Sequence, residues 1–172
     1  MAYSFSDEQI KRITENVVNN IRASEGRAPG TAGGMTLSKA VRLIEAVEKK
    51  AAEIGVNAVV AVSNDGANPV AVHCMDDSYI ASYDIAFQKA YTTAALKKST
   101  SELAKLAAPG GELYGIQFTN QSRIVVFGGG EPLFENGRVV GGLGVSGGSE
   151  EQDTFLAKYG KKFFEEAITK HE

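Results

Sequence analysis

Two periods organise the apolar positions of this chain. From Thr36 to Gly55, Leu37, Val41, Ile44, Val47, Ala51 and Ile54 recur at spacings of three and four, which marks one face of a helix. Gly55 suits the residue that ends it. Ala58 to Ser63 is a short run rich in valine, read as a buried strand. Asn64 to Asn68 reads as a turn, and Val70 to Cys74 as the returning strand. Tyr79 to Lys98 returns to the helical period, with Ile80, Ile85, Ala86, Ala90, Ala94 and Ala95 small or apolar. A short helix from Ser101 to Leu106 follows, capped by Ser99 or Thr100 and closed by Pro109-Gly110-Gly111. Residues 112–121 show no period and read as an irregular segment. Arg123 to Phe127 reads as a strand. The last helix is expected from Glu150 to Lys170, burying Phe155, Leu156, Tyr159, Phe163, Ala167 and Ile168.

Glycine dominates the segment between those last two elements. Positions 128, 129, 130, 137, 141, 142, 144, 147 and 148 hold nine of the chain's 19 glycines. Asn136-Gly137 lies between the apolar runs Pro132-Leu133-Phe134 and Val139-Val140, and is the preferred pair for a type I′ hairpin turn. Gly141, Gly142 and Gly144 interrupt the second strand, so something packs closely on it: a ligand, a helix or another subunit. Ser149 can cap the final helix, with Gln152 in the reciprocal capping-box position. The element order is α-β-β-α-α-β-β-β-α. Short hairpin connections make the strands antiparallel. The expected fold is α+β, a five-stranded antiparallel sheet flanked by helices.

A separate helix precedes this domain. Ser6 can cap it, and Ile10, Ile13, Val17 and Ile21 share one face. A run of glycine, proline and small residues follows, typical of a linker. The expected organisation is an amphipathic helix over 1–26, a linker over 27–34 and a domain over 35–172. So short a helix is marginal alone in water, so its stripe must dock on its own domain, on a sister subunit or in a partner's groove.

Composition narrows the function classes. A net charge of −3, with lysine and arginine scattered, gives no basic patch for nucleic acid. No apolar run approaches a membrane span of about 20 residues. The N-terminus lacks a secretory pattern. One cysteine, Cys74, excludes an internal disulfide and fits a reducing cytoplasm. Two histidines, His73 and His171, argue against a multi-histidine metal centre. The glycines do not follow a first strand in a βαβ unit, so they are not a dinucleotide fingerprint.

Several blocks in order carry a resemblance. They are Met75-Asp76-Asp77, Lys89-Ala90-Tyr91-Thr92, Pro109-Gly110-Gly111 with Leu113-Tyr114-Gly115, Phe127-Gly128-Gly129-Gly130, and Val140 to Gly148 followed by Glu151-Gln152-Asp153. Residues 35–169 thereby resemble the GlcG/HbpS haem-binding-like family, and within it the C-terminal domain of the PduO propanediol-utilisation proteins. The adenosyltransferase activity of PduO is not implied. The resemblance implies a profilin-like fold, homo-oligomer assembly and, in some members, haem binding or haem degradation. The N-terminal helix and linker resemble the encapsulation peptides of bacterial microcompartment cargo. That implies shell or cargo partners and a cytoplasmic location in a microcompartment lumen.

The candidate chemistry then divides. A haem needs an axial ligand and an apolar slot. His73 is the one histidine inside the domain, and strand alternation puts Met75 on its face and Cys74 on the other. His73, Met75, Lys89 and Tyr91 are the candidate haem-binding residues, and any iron would sit at His73. Alternatively, Gly147, Gly148 and Ser149 present backbone amides at a helix start, a site for an anionic substrate of a small enzyme, with Lys89 and Tyr91 as counter-charge and hydroxyl. The glycines could instead serve close packing only, in a non-catalytic structural cargo protein. Glu151 and Asp153 read as favourable first-turn charges. Gly144-Val145-Ser146-Gly147-Gly148 matches the GxSxG pattern literally, but the antiparallel context and scarce histidine argue against a hydrolase elbow.

Overall fold

The computed structural model describes residues 34–169, together with Ser6, Glu8, Lys11, Arg12, Thr14 and Glu15. The chain divides into two units, Met1–Gly33 and Gly34–Glu172. In the first unit Glu8, Lys11, Arg12, Thr14 and Glu15 are helical and exposed. The stripe Ile10, Ile13, Val17 and Ile21 lies outside the described residues, as does His171.

The second unit opens with helix α1 (Leu37–Glu53), whose first turn is capped by Thr36 Oγ1 accepting from Lys39 N at 3.2 Å. Strands β1 (Val59–Asn64) and β2 (Pro69–Cys74) form a hairpin. Its turn is closed by Asn64 Oδ1, which accepts from Gly66 N and Asn68 N at 3.0 Å each. Helix α2 (Ser82–Leu96) and the short helix α3 (Thr100–Leu106) follow. Two 3₁₀ turns fill the irregular segment. Strands β3 (Gly130–Glu135) and β4 (Arg138–Ser146) make the second hairpin. Its turn has φ 50° at Asn136 and φ 74° at Gly137, as a type I′ turn requires. Helix α4 (Glu150–Phe163) runs into a π-helical segment, Phe164–Ile168.

The sheet has four strands, in the order β2-β1-β4-β3, with every pair antiparallel. The fifth strand expected at Arg123–Phe127 does not join it. The backbone there is irregular, with Arg123 in the right-handed helical region, and it runs beside helices. Val125 N donates to Thr92 Oγ1 at 3.0 Å and Gly128 N donates to Glu150 Oε1 at 2.7 Å. Helix side chains thus replace the ladder, and a buried backbone donor needs only one partner. An apolar β-branched run cannot distinguish these two ways of being satisfied.

The sheet is covered on both faces. Val60, Val62, Leu143 and Val145 pack against Leu43, Ile44 and Val47 of α1 and Leu156 and Ala157 of α4. On the other face Val59 and Ala61 meet Ala86 and Ala90 of α2. The close neighbour of Gly142 and Gly144 is α2, whereas Gly141 abuts Ser63 of β1. A Cβ at Gly144 would lie 2.0 Å from Ala86 O, and one at Gly142 would lie 2.2 Å from Ala90 O. Gly144→Ala is therefore expected to push α2 off the sheet and destabilise the domain by about 1–3 kcal/mol. Chemical denaturation checks this; an unchanged midpoint would mean that α2 tolerates displacement.

Candidate functional site

The inward stripe of α2 runs Ala86, Lys89, Ala90, Thr93, so small side chains let one long cation reach the sheet. Lys89 is 0% exposed, the largest fully buried side chain of the described residues. Its Nζ donates to Val145 O at 2.8 Å and to Asp153 Oδ2 at 3.0 Å. It also lies 4.8 Å from the centre of the Phe127 ring, a cation–π distance. Burial pushes the Lys89 pKa below its ordinary value, opposed by the charges of Asp153 and then Glu150. Gly129 makes room for this arrangement. Its φ is +106° and a Cβ there would fall 2.6 Å from Lys89 Nζ.

Asp153 sits in the first turn of α4, where the sequence suggested only a dipole-favouring charge. Its other oxygen, Oδ1, accepts from Gly148 N at 2.9 Å. Ser149 and Gln152 form the expected capping box: Gln152 N donates to Ser149 Oγ at 3.2 Å, and Ser149 N donates to Gln152 Oε1 at 2.9 Å. The amides of Gly148 and Ser149 thus bind the chain's own carboxylate and carboxamide. Those two amides are therefore already used and Lys89 is paired with Asp153, while Gly147 lines a neighbouring cleft. Ser146 Oγ pairs with Ser82 Oγ at 3.1 Å, and His73 lies on the other face of the sheet.

A cleft of about 280 Å³ opens between the starts of α2 and α4, lined by Tyr79, Ser82, Ile85, Phe127, Ser146 and Asp153 among others. It faces the α2 side. His73 does not. His73 pairs with Val60 on β1, and directly opposed residues share a face, so its imidazole lies on the α1 side. There Nδ1 is 3.2 Å from Glu48 Oε1, with the histidine side chain 38% exposed. Met75 shares that side, but its Sδ accepts from Ala58 N at 3.3 Å and the side chain packs partly against the core. Cys74 is exposed and opposes Val59, on the other face. Tyr91 is elsewhere again: the Arg123 guanidinium lies 3.7 Å from its ring centre, and its hydroxyl accepts from Asn120 Nδ2 at 3.4 Å.

The four candidate haem residues therefore do not form one site. His73 is oriented by Glu48, which sequence reading missed because the contact joins a helix to a strand 25 residues away. Lys89 belongs to a different, internal pair. Among the described residues no cluster of histidine, cysteine and carboxylate side chains could hold a metal ion, and no helix is long and apolar enough to cross a membrane.

Comparison with known proteins gives a consistent result. Residues 35–162 match the family model described as haem degrading protein HbpS-like. The chain is 46% identical over 132 residues to a 15.0 kDa protein from the dhaT-dhaS intergenic region of Citrobacter freundii, covering 77% of this chain and 93% of that one. It is 34% identical over 149 residues to the corrinoid adenosyltransferase PduO of the same organism, covering 87% of this chain but only 44% of PduO. A crystal structure of a PduOC:heme complex superposes with TM-score 0.73 at 33% identity, covering 76% of this chain and 94% of that one.

Proposed function

This chain belongs to the HbpS-like family, and from that premise we propose that it binds haem, with His73 as the ligand to iron. The observation that carries this reading is the His73–Glu48 pair, 3.2 Å apart at Nδ1. A ligating histidine characteristically gives its other ring nitrogen to a carboxylate or carbonyl, which fixes the ring and raises its basicity. With Nδ1 turned to Glu48, Nε2 remains as the donor atom of a half-exposed ring. That donor set fits an axial histidine, and the PduOC:heme complex supports the class of ligand. When bound, haem would supply an iron centre whose properties depend on this axial nitrogen. Glu48 holds the imidazole, and Met75 braces the strand end through its bond to Ala58. Titrating the full chain with haemin is expected to give a saturable Soret shift; no shift would overturn the reading.

We further propose that the protein self-associates and that residues 1–26 address it to a microcompartment through Ile10, Ile13, Val17 and Ile21. Self-association is supported by large apolar side chains left in water, with Ile80 96% and Phe118 76% exposed, since such patches favour protein partners. Addressing is supported by the division of the chain at Gly33/Gly34 and by the amphipathic pattern. Fusing residues 1–26 to a fluorescent protein is expected to give puncta in cells that assemble shells. Diffuse fluorescence would contradict it.

A further inference from the structure

The cleft on the α2 side has a chemistry that neither haem nor the fold accounts for. Its floor holds two hydroxyls, Ser82 and Ser146, only 3% and 5% exposed. They make one hydrogen bond, to each other, at 3.1 Å. Each serine carries one proton and two acceptor sites. One buried proton is therefore without an acceptor among the described hydrogen bonds, and it belongs to a side chain that lines the cleft. A buried polar group left so costs stability unless something entering the cleft accepts from it. The walls are apolar: Ile85 and Phe127. At the rim, Glu150 gives one carboxylate oxygen to Gly128 N and keeps the other for a donor.

These features select a ligand class. The occupant must bring an acceptor for the serine proton. An ammonium has none, and it would also meet Lys89 behind Phe127. A carboxylate has acceptors but would add a third negative charge to Glu150 and Asp153, against one positive charge on Lys89. A neutral hydroxyl both accepts and donates. At about 280 Å³ the cleft lies just under the range of roughly 300–1,000 Å³ for drug-sized ligands, yet exceeds several waters at about 30 Å³ each. It suits a molecule of a few carbons and is too small for a tetrapyrrole. We propose that this cleft binds a small neutral alcohol, its oxygen on the Ser82–Ser146 pair and its carbon chain on Ile85 and Phe127.

Three four-carbon molecules differing only in their head group test this: butan-1-ol, butyrate and butylammonium, titrated into the full chain while amide resonances are followed. Butan-1-ol is expected to shift Ser82, Ser146 and Gly147 saturably, with a Kd on the order of 1 mM. The two charged molecules should bind at least about tenfold more weakly, and Ser146→Ala should weaken the alcohol by about tenfold. Ala81→Leu, an exposed position on the cleft wall, should abolish the shifts by filling the space, and serves if Ser146→Ala does not fold. No saturable shift with butan-1-ol overturns the proposal, as does equal binding of butyrate or an unchanged affinity in both variants. Haem uptake on the opposite face is read independently from the Soret band, so the two proposals fail separately.

Discussion

Lys89→Met is expected to destabilise the domain by about 3–5 kcal/mol, because it strands Asp153 as a buried, uncompensated carboxylate. Asp153 is 4% exposed and Lys89 supplies its cation at 3.0 Å. The same change also removes the donor to Val145 O. The loss does not mean that the pair is worth that much. Burial lowers the Lys89 pKa in spite of Asp153, so desolvation outweighs attraction. Removing both charges should therefore be far milder. The double variant Lys89→Met with Asp153→Asn keeps an oxygen for Gly148 N and is expected to recover most of the stability. Urea denaturation of the three proteins decides it; a double variant as unstable as Lys89→Met alone would contradict the account.

The direction of the pKa shift fixes a pH dependence. The folded protein releases the Lys89 proton below the ordinary value of 10.5. Between those two values the unfolded chain holds more protons than the native one. Stability contributed by this group therefore rises with pH through that window, and its cost is fully present below the folded value. In Lys89→Met this component of the alkaline dependence disappears.

Much of the fold was legible where the signal is local. The type I′ turn at Asn136-Gly137, the capping box at Ser149 and Gln152, and helix α1 each depend on residues within a few positions of one another, although Leu37 of the expected stripe is exposed and Ala40 and Leu43 are buried in its place. The glycines of β4 announced a close neighbour correctly, but only the structure identifies it as α2 for Gly142 and Gly144. The fifth strand failed because Thr92 and Glu150 satisfy the backbone of 123–128 from distant helices. The site was less legible for the same reason. Asp153 looked like any first-turn acid, yet its partner lies 64 residues away. A lysine within the stripe Ala86, Ala90 and Thr93 was the one available signal that a buried counter-ion must exist. Nothing local marked Glu48 or the Ser82–Ser146 pair.

The central claim is that haem binds through His73. Glu48→Gln is expected to retain the complex with about 10–100-fold weaker binding, since it only orients the ring. The most direct measurement is the visible spectrum of wild type and His73→Ala titrated side by side with haemin. The wild type should show a saturable Soret band of histidine-ligated iron. His73→Ala should lose it and regain it on adding imidazole. Identical spectra and affinities for the two proteins would contradict the claim.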